Sequence, residues 1–277
     1  MKDSKQYSPK FFDRIRDMAS SSANAAVPEI LKIYPAQSVI DVGCGTGAWV
    51  RAFQDCGVKR PVGIDGDYVD RSQLMVAESQ FASCDLARRF DVADIFRRLG
   101  ASERFDLAIS LEVGEHLPVE RAESLVDDVC MLADVVLFGA AIPFQGWAKS
   151  HINEQWQSFW ARKFFDRGYD AFDVLRREIW SSPDIVYFYK QNTIFYVKRN
   201  TPAHAGFMAR YHNPTTSMFD IVHPEQYRGK VRRLKNGYVV QKVFNFFRLS
   251  GGRRRSTVLS TEILGDEHWT SGRADRP

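Results

Sequence analysis

A glycine-rich segment directly after a short apolar run is the feature that most constrains how this chain can fold. Residues 38–42 (SVIDV) are rich in β-branched side chains and predict a strand, and the segment GCGTG at residues 43–47 follows at once. Helical spacing of apolar residues resumes over residues 48–53. Glycines between a strand and a helix let the backbone approach a ligand closely and adopt positive φ angles. The segment therefore predicts the first unit of a ligand-binding α/β domain.

Further apolar runs continue this alternation of strands and helices. The pattern predicts helices that include residues 118–131 and 153–167, and it predicts strands at residues 61–65, 81–84, 107–111, 135–142, 171–175 and 193–197. Such alternation is typical of a parallel sheet that helices cover on both faces. We therefore expect an α/β fold with a Rossmann-like, seven-stranded, mostly parallel sheet.

Helical spacing and breaks in the pattern suggest four regions. Residues 8–33 read as helix, which the serines at positions 20–22 are expected to break in two. The regular pattern weakens beyond Arg199, where Gly, Pro, His and Asn are scattered. We expect a helical lid at residues 1–34, the main domain at 35–200, an extension at 201–249 and a disordered tail at 250–277.

Composition restricts the class of protein. Of the 277 residues, 44% are hydrophobic and 26% are charged, which is typical of globular proteins and argues against fibrous or wholly disordered ones. The N-terminus is charged throughout and the chain has no long apolar stretch, so we expect neither a secretory signal nor a membrane span. The four cysteines are scattered, which fits a reducing, cytoplasmic location.

Three acidic residues near strand ends indicate what the glycine segment binds. Asp41 lies just before the glycines, where its carboxylate can hold the turn or orient an ammonium group. Asp65 ends the second strand, where a carboxylate would accept hydrogen bonds from ribose hydroxyls in dinucleotides and in other adenosine cofactors alike. Asp85 follows the third strand, where it could accept from an adenine amine. Together they favour an adenosine-containing cofactor.

Two motifs resemble class I S-adenosylmethionine-dependent methyltransferases: VIDVGCGTG at residues 39–47 and SLEVGEH at residues 110–116. The resemblance extends over roughly residues 7–200. It implies S-adenosylmethionine as the cofactor, with the glycine segment at the methionine part, Asp65 at the ribose and Asp85 at the adenine. The cofactor-binding positions that we expect are Asp41, Gly43, Cys44, Gly45, Gly47, Asp65, Gly66, Asp85, Leu86, Leu111 and Glu112.

Histidines after the fourth and fifth strands are candidates for catalysis. Methyl transfer to a hydroxyl needs a base, and His151 stands three residues before Glu154 at the start of a predicted helix, as a base and its orienting carboxylate would. The alternative is that His151 or Asn153 caps this helix. His116 is expected to organise the pocket, with a catalytic role as the alternative. No ligand-spaced acidic pair or His/Cys cluster is visible in the sequence, so we expect no metal.

The methyl acceptor is suggested by a second, less specific resemblance. Residues 151–160, 191–193 and 222–227 resemble bacterial methyltransferases that accompany polysaccharide and other glycan assembly. This implies a sugar hydroxyl as the acceptor, with other small molecules also open. The sequence does not indicate whether an oxygen, nitrogen or carbon atom is methylated, nor the oligomeric state.

An uneven charge distribution leaves other partners open. Residues 226–277 carry 12 basic and 4 acidic residues, whereas residues 1–225 carry 26 basic and 30 acidic ones. The basic segment at 228–255, with its interleaved aromatic residues, would suit an RNA or DNA methyltransferase or contact with an anionic membrane. The acidic remainder of the chain argues against nucleic acid. A regulatory module that binds the cofactor without catalysis is the non-enzymatic alternative.

Overall fold

The computed structural model describes residues 9–146 and 150–235. Its strands are β1 (Ser38–Val42), β2 (Arg60–Asp65), β3 (Phe81–Ser83), β4 (Phe105–Leu111), β5 (Ala133–Gly139), β6 (Tyr169–Phe172) and β7 (Ile194–Lys198). Its helices are α1 (Pro9–Ile33), α2 (Ala48–Asp55), α3 (Val92–Arg98), α4 (Arg121–Leu132), α5 (Gln157–Asp166), α6 (Leu175–Ile179), α7 (Tyr187–Asn192) and α8 (Pro202–Tyr211).

The seven strands form one sheet in the order β3-β2-β1-β4-β5-β7-β6. The first five strands in this order are parallel, and β7 runs antiparallel to both β5 and β6. The α/β fold with a seven-stranded, mostly parallel sheet is thus confirmed. The strand order reverses between β1 and β4, and in open α/β sheets ligands bind beyond the carboxyl ends of the strands at such a reversal.

The central strands are buried on both faces, as parallel strands require. In β4, Leu107 and Ile109 contribute to one apolar cluster together with residues of α1 and α2, whereas Ala108 contributes to another with residues of α4 and α5. The alternation of side chains along the strand therefore gives each face of the sheet its own hydrophobic core. This rigid platform fixes the loops at the carboxyl ends of the strands.

Helix α1 is continuous, so the predicted break at residues 20–22 is wrong. The hydroxyl groups of Ser20 and Ser22 donate to the main-chain carbonyls of Arg16 (2.9 Å) and Met18 (2.7 Å). Bonded in this way, serine does not interrupt a helix. The second half of α1 is also part of the core rather than only a lid, because Val27 and Ile30 are fully buried.

Helix α5 begins at Gln157, later than the sequence pattern indicates. The predicted position of His151 and Glu154 at a helix start is therefore wrong, as is a capping role for His151, because the N-cap residue is Trp156. The backbone N–H groups of Ile152 and Asn153 both donate to the carbonyl of Glu115, at 2.9 and 3.0 Å. These long-range bonds hold residues 151–156 as an extended loop against the end of β4.

The chain forms a compact unit as far as Gly229, so α8 and the residues up to that point lie within it. Residues 224–235 are helical. The predicted disordered tail and most of the basic segment lie outside the described residues. Among residues 9–146 and 150–235, no helix has both the length and the apolar character needed to cross a bilayer.

Candidate active site

The glycine turn after β1 has the conformation that the sequence predicts. Gly43, Gly45 and Gly47 all have positive φ angles, of 88°, 54° and 89°. A Cβ atom added at Gly43 would lie 2.3 Å from Val113, so this glycine is required for packing. A Cβ at Gly45 would meet no atom within 4 Å. The open side of the turn is therefore at Gly45, where a ligand can approach the backbone.

The carboxylate of Asp65 joins several predicted cofactor residues into one cluster. It accepts hydrogen bonds from the N–H groups of Gly45 and Gly66, both at 2.6 Å, and from the hydroxyl of Tyr68. The Tyr68 side chain is 83% exposed. Because Asp65 here accepts a bond from the hydroxyl group of an exposed residue, its carboxylate is suited to accept one from a ribose hydroxyl.

Asp41 lies beneath the turn with an unsatisfied carboxylate. It is buried, and its Oδ2 atom has no hydrogen-bond partner. Burial, and secondly the nearby charge of Asp65, raise the pKa of Asp41 well above its usual value. A buried acceptor of this kind is suited to a cationic donor such as an ammonium group. Cys44, in contrast, packs its side chain against Val50 in an apolar cluster, so only its backbone can face a ligand.

Asp85 and Leu86 lie just beyond the carboxyl end of β3, next to Asp65. The register pairs Asp65 with Ser83, and the N–H of Cys84 donates to the carbonyl of Asp65 at 2.7 Å. Asp85 is exposed and accepts from the N–H of Ala87 at 3.0 Å, whereas Leu86 is buried. Their contact with an adenine ring stays a prediction.

Glu112, which follows Leu111 at the end of β4, is held in a strained conformation. Its φ angle is 59°, unusual for a residue other than glycine. Its carboxylate accepts from the side-chain amides of Gln145 (2.5 Å) and Asn192 (2.7 Å). Burial raises the pKa of Glu112 to about 7. Sequence reasoning missed Gln145 as a site residue, and it included Asn192 only as part of a resemblance.

A second polar cluster combines Glu115 and His116, which follow β4, with His151 from the loop after β5. The two imidazole rings meet edge to face with their centroids 4.7 Å apart. Burial, and secondly the charge of His151, lower the pKa of His116. The side chain of Glu115 is fully buried, and neither carboxylate oxygen has a hydrogen-bond partner. Burial and the charge of Glu112 raise the pKa of Glu115.

The predicted pair of His151 and Glu154 does form, although in a loop rather than on a helix. Nδ1 of His151 lies 2.9 Å from Oε1 of Glu154. The same carboxylate accepts from the backbone N–H groups of Phe144 (2.7 Å) and Gly146 in the loop after β5. A Cβ at Gly146 would lie 2.2 Å from Nδ1 of His151. Gly146, which sequence reasoning also missed, therefore allows the pair to pack against this loop.

Comparison with known proteins agrees with this geometry. Residues 39–133 match the family described as Methyltransferase domain. A probable chloroplastic tocopherol O-methyltransferase from Oryza sativa subsp. japonica is 31% identical over 147 residues, which are 52% of this chain but only 38% of that protein.

Two solved structures are similar to this chain at low sequence identity, and one of them shares its fold with a TM-score above 0.5. The sugar N-methyltransferase KedS8 from Streptoalloteichus sp. ATCC 53650 superimposes with a TM-score of 0.52 at 12% identity, covering 72% of this chain and 96% of that one. The magnesium protoporphyrin IX methyltransferase from Synechocystis PCC 6803 gives a TM-score of 0.44 at 16% identity, covering 71% and 90%.

The residues present also fit the cofactor that the sequence motifs imply. The space above Gly45 is open to a ligand, the Asp41 carboxylate lacks a donor, and Asp65 already accepts from a hydroxyl. The methyltransferase-domain match begins in β1 and ends at the start of β5, and so includes all three. Residues 39–133 are therefore similar to a methyltransferase domain, and the site residues within them fit S-adenosylmethionine.

Proposed function

We propose that the protein transfers the methyl group of S-adenosylmethionine to a hydroxyl group of a sugar or another small molecule. The observation that carries this proposal is the bond between His151 and Glu154, 2.9 Å long, beside the carboxyl end of β4. A hydroxyl must lose its proton when it is methylated, and an oriented imidazole is a suitable acceptor.

The residues around the glycine turn support one position for the cofactor. In this proposal Asp65 accepts from the ribose hydroxyls, Gly45 allows the cofactor to approach the backbone, and Asp41 attracts the ammonium group of the methionine part. Leu111 and Glu112 lie at the end of the neighbouring strand β4. They would therefore border the sulfonium and its methyl group, on the side where His116 and His151 meet.

The reaction is a single in-line displacement. The acceptor oxygen attacks the methyl carbon, the carbon–sulfur bond breaks, and the products are a methyl ether and S-adenosylhomocysteine. His151 takes the hydroxyl proton on the ring nitrogen that does not face Glu154. Glu154 keeps the ring in place because its own oxygens are fixed by the N–H groups of Phe144 and Gly146. The protein contributes mainly alignment and the removal of this proton.

An exposed aromatic side chain supports a sugar as acceptor. The ring of Phe144 is 78% exposed, and its backbone has a φ of 66°, an unusual conformation that the bond to Glu154 stabilises. Exposed aromatic rings offer apolar faces on which a ligand ring can stack. KedS8 indicates that this fold can also accommodate a sugar, although its acceptor atom is a nitrogen.

The test combines isotope-labelled S-adenosylmethionine with a panel of nucleotide sugars, oligosaccharides and RNA. With the acceptor found, we expect His151→Ala to lower kcat by about 10² to 10⁴ with little change in cofactor affinity, and Glu154→Gln to lower it less. The matched control is His212→Asn, which removes an exposed histidine at the end of α8. Normal turnover in the His151 variant, or methylation of RNA alone, would overturn the proposal.

A further inference from the structure

We propose that Glu115, His116 and His151 bind a divalent metal ion of the Mn²⁺ to Zn²⁺ series. The site itself is inferred from geometry, whereas its effect on catalysis rests on the function proposed above. Two imidazoles and one carboxylate are a common ligand set for such ions, and with three protein ligands a coordination position stays open for a substrate or water. Sequence spacing does not indicate this site, because His151 follows β5 and the other two ligands follow β4.

The three side chains already converge. One ligand atom from each residue, a carboxylate oxygen or a ring nitrogen, lies within 4.8 Å of the other two. Around a tetrahedral ion with bonds of about 2.1 Å, ligand atoms are about 3.4 Å apart. Binding therefore requires these atoms to move closer by up to about 1.4 Å, which rotamer adjustment of the side chains can supply.

Both histidines have their second ring nitrogen held by an oxygen atom. Nδ1 of His116 lies 3.2 Å from the carbonyl oxygen of Ser150, and Nδ1 of His151 lies 2.9 Å from Oε1 of Glu154. A carbonyl oxygen can only accept, so His116 donates through Nδ1 and carries its lone pair on Nε2. The same tautomer in His151 leaves its Nε2 available. Metal-binding histidines are typically oriented by such bonds from the other nitrogen.

The burial of the Glu115 carboxylate without a hydrogen-bond partner indicates most directly that a cation could bind here. Its side chain is fully buried, and neither of its oxygens has a hydrogen-bond partner. Buried polar groups in native proteins nearly always have partners. A cation bound here would supply the partner that the Glu115 carboxylate lacks.

A bound ion would change the role of His151. The acceptor hydroxyl would occupy the open coordination position, where the ion lowers its pKa. Its proton leaves to water, the oxygen attacks the methyl carbon, and the carbon–sulfur bond breaks as before. His151 would then be a ligand rather than the proton acceptor, with Glu154 as its positioning residue. Loss of activity in the His151 variant is expected in both cases, so a separate experiment is needed.

The direct test is metal binding by the full chain. Protein treated with EDTA and dialysed is titrated with MnCl₂ and with ZnCl₂ by calorimetry, and bound Mn²⁺ is followed by electron paramagnetic resonance. We expect one ion per chain, bound at least 10-fold more weakly by Glu115→Gln and by His116→Ala. Glu115→Gln conserves the shape of this fully buried side chain and introduces no charge, so it should fold. The control His212→Asn should bind like the wild type.

Activity then separates the two proposals. With an acceptor in hand, EDTA should abolish turnover without weakening S-adenosylmethionine binding, and Mn²⁺ or Zn²⁺ should restore it. Absence of stoichiometric binding, or binding unchanged in both ligand variants, would overturn the metal site. Full turnover by metal-free protein would also overturn it, while leaving the proposed methyl transfer intact. Specific metal binding without methylation of any hydroxyl would support the site and contradict the proposed function.

Discussion

Replacing Asp41 by asparagine should stabilise the cofactor-free protein and weaken cofactor binding. In the absence of a ligand, Asp41 holds a buried carboxylate whose Oδ2 has no donor and which lies near the charge of Asp65. An unsatisfied buried polar group destabilises a fold by about 1–3 kcal/mol, and a charged one by more. Asparagine has nearly the same shape and no charge, so it removes much of this penalty.

The expected changes in protein stability and in cofactor affinity have opposite signs. We expect the free energy of unfolding of Asp41→Asn without ligand to rise by about 1–2 kcal/mol near pH 8, equivalent to about 2–8 °C in Tm for a domain of this size. Loss of a charge-assisted hydrogen bond to the ammonium group should weaken binding of S-adenosylmethionine by about 1.5–3 kcal/mol, or roughly 10- to 150-fold in Kd.

The pH dependence gives an independent check. Because the pKa of Asp41 is raised in the folded state, its contribution to stability is fully present below the unfolded pKa and is lost as pH rises through the folded pKa. The stability advantage of the asparagine variant should therefore be absent near pH 4, grow with rising pH, and level off above the folded pKa of Asp41.

Denaturant unfolding and calorimetric titration with S-adenosylmethionine measure both effects. The control is Asp106→Asn at the opposite end of the sheet, where the carboxylate accepts from the N–H groups of Gln37 (2.8 Å) and Ser38 (2.9 Å). Because that carboxylate is satisfied, its replacement should lower stability and leave Kd unchanged. If Asp41→Asn loses stability as the control does, or binds the cofactor normally, Asp41 is a structural residue of the turn.

Two further predictions follow from the same described residues. Gly45→Val should weaken S-adenosylmethionine binding at least 100-fold in calorimetry, because its side chain would project into the open space above the turn. The control is Gly100→Val, because Gly100 has a similar φ of 60° and a Cβ added there would also meet no atom within 4 Å. This control variant should lose stability but not cofactor affinity. His223 is buried and its pKa is lowered, mainly by burial, so its contribution to stability is present above the unfolded pKa and is lost as pH falls through the folded pKa. His223→Gln should therefore flatten the decline of Tm below about pH 6.5, and an unchanged slope would exclude this residue as its cause.

The fold could be predicted because local patterns and packing agree along most of the chain. Strand β1 was predicted with the bounds that it has, since a β-branched run directly before glycines has few alternatives. The errors occurred where long-range bonds compete with local preference. Residues near Asn153 have a helical pattern, but their N–H groups bond to the carbonyl of Glu115 instead. No local pattern encodes that partner.

The two halves of the site differ in the same way. Asp41, Gly45 and Asp65 were accessible to sequence reasoning because they lie at fixed positions relative to β1 and β2. The proposed acceptor side combines loops after β4 and β5 with the amide of Asn192 at the end of α7. The contact of Gly146 with His151 and the bond of Gln145 to Glu112 depend on how these loops cross. The distance between these residues along the sequence does not predict how the two loops cross.

The departures from ordinary protein structure indicate function more directly than the motifs do. Among the described residues, the buried side-chain atoms without partners are Oδ2 of Asp41, both oxygens of Glu115, Oε1 of Gln157, and the indole nitrogens of Trp49 and Trp160. Asp41 and Glu115 are the only acidic residues in this set. Asp41 lies within β1, and Glu115 follows the neighbouring strand β4. Natural sequences break such rules mainly at functional sites. A cationic ammonium group at Asp41 and a metal ion at Glu115 would each satisfy an acceptor that the fold itself leaves open.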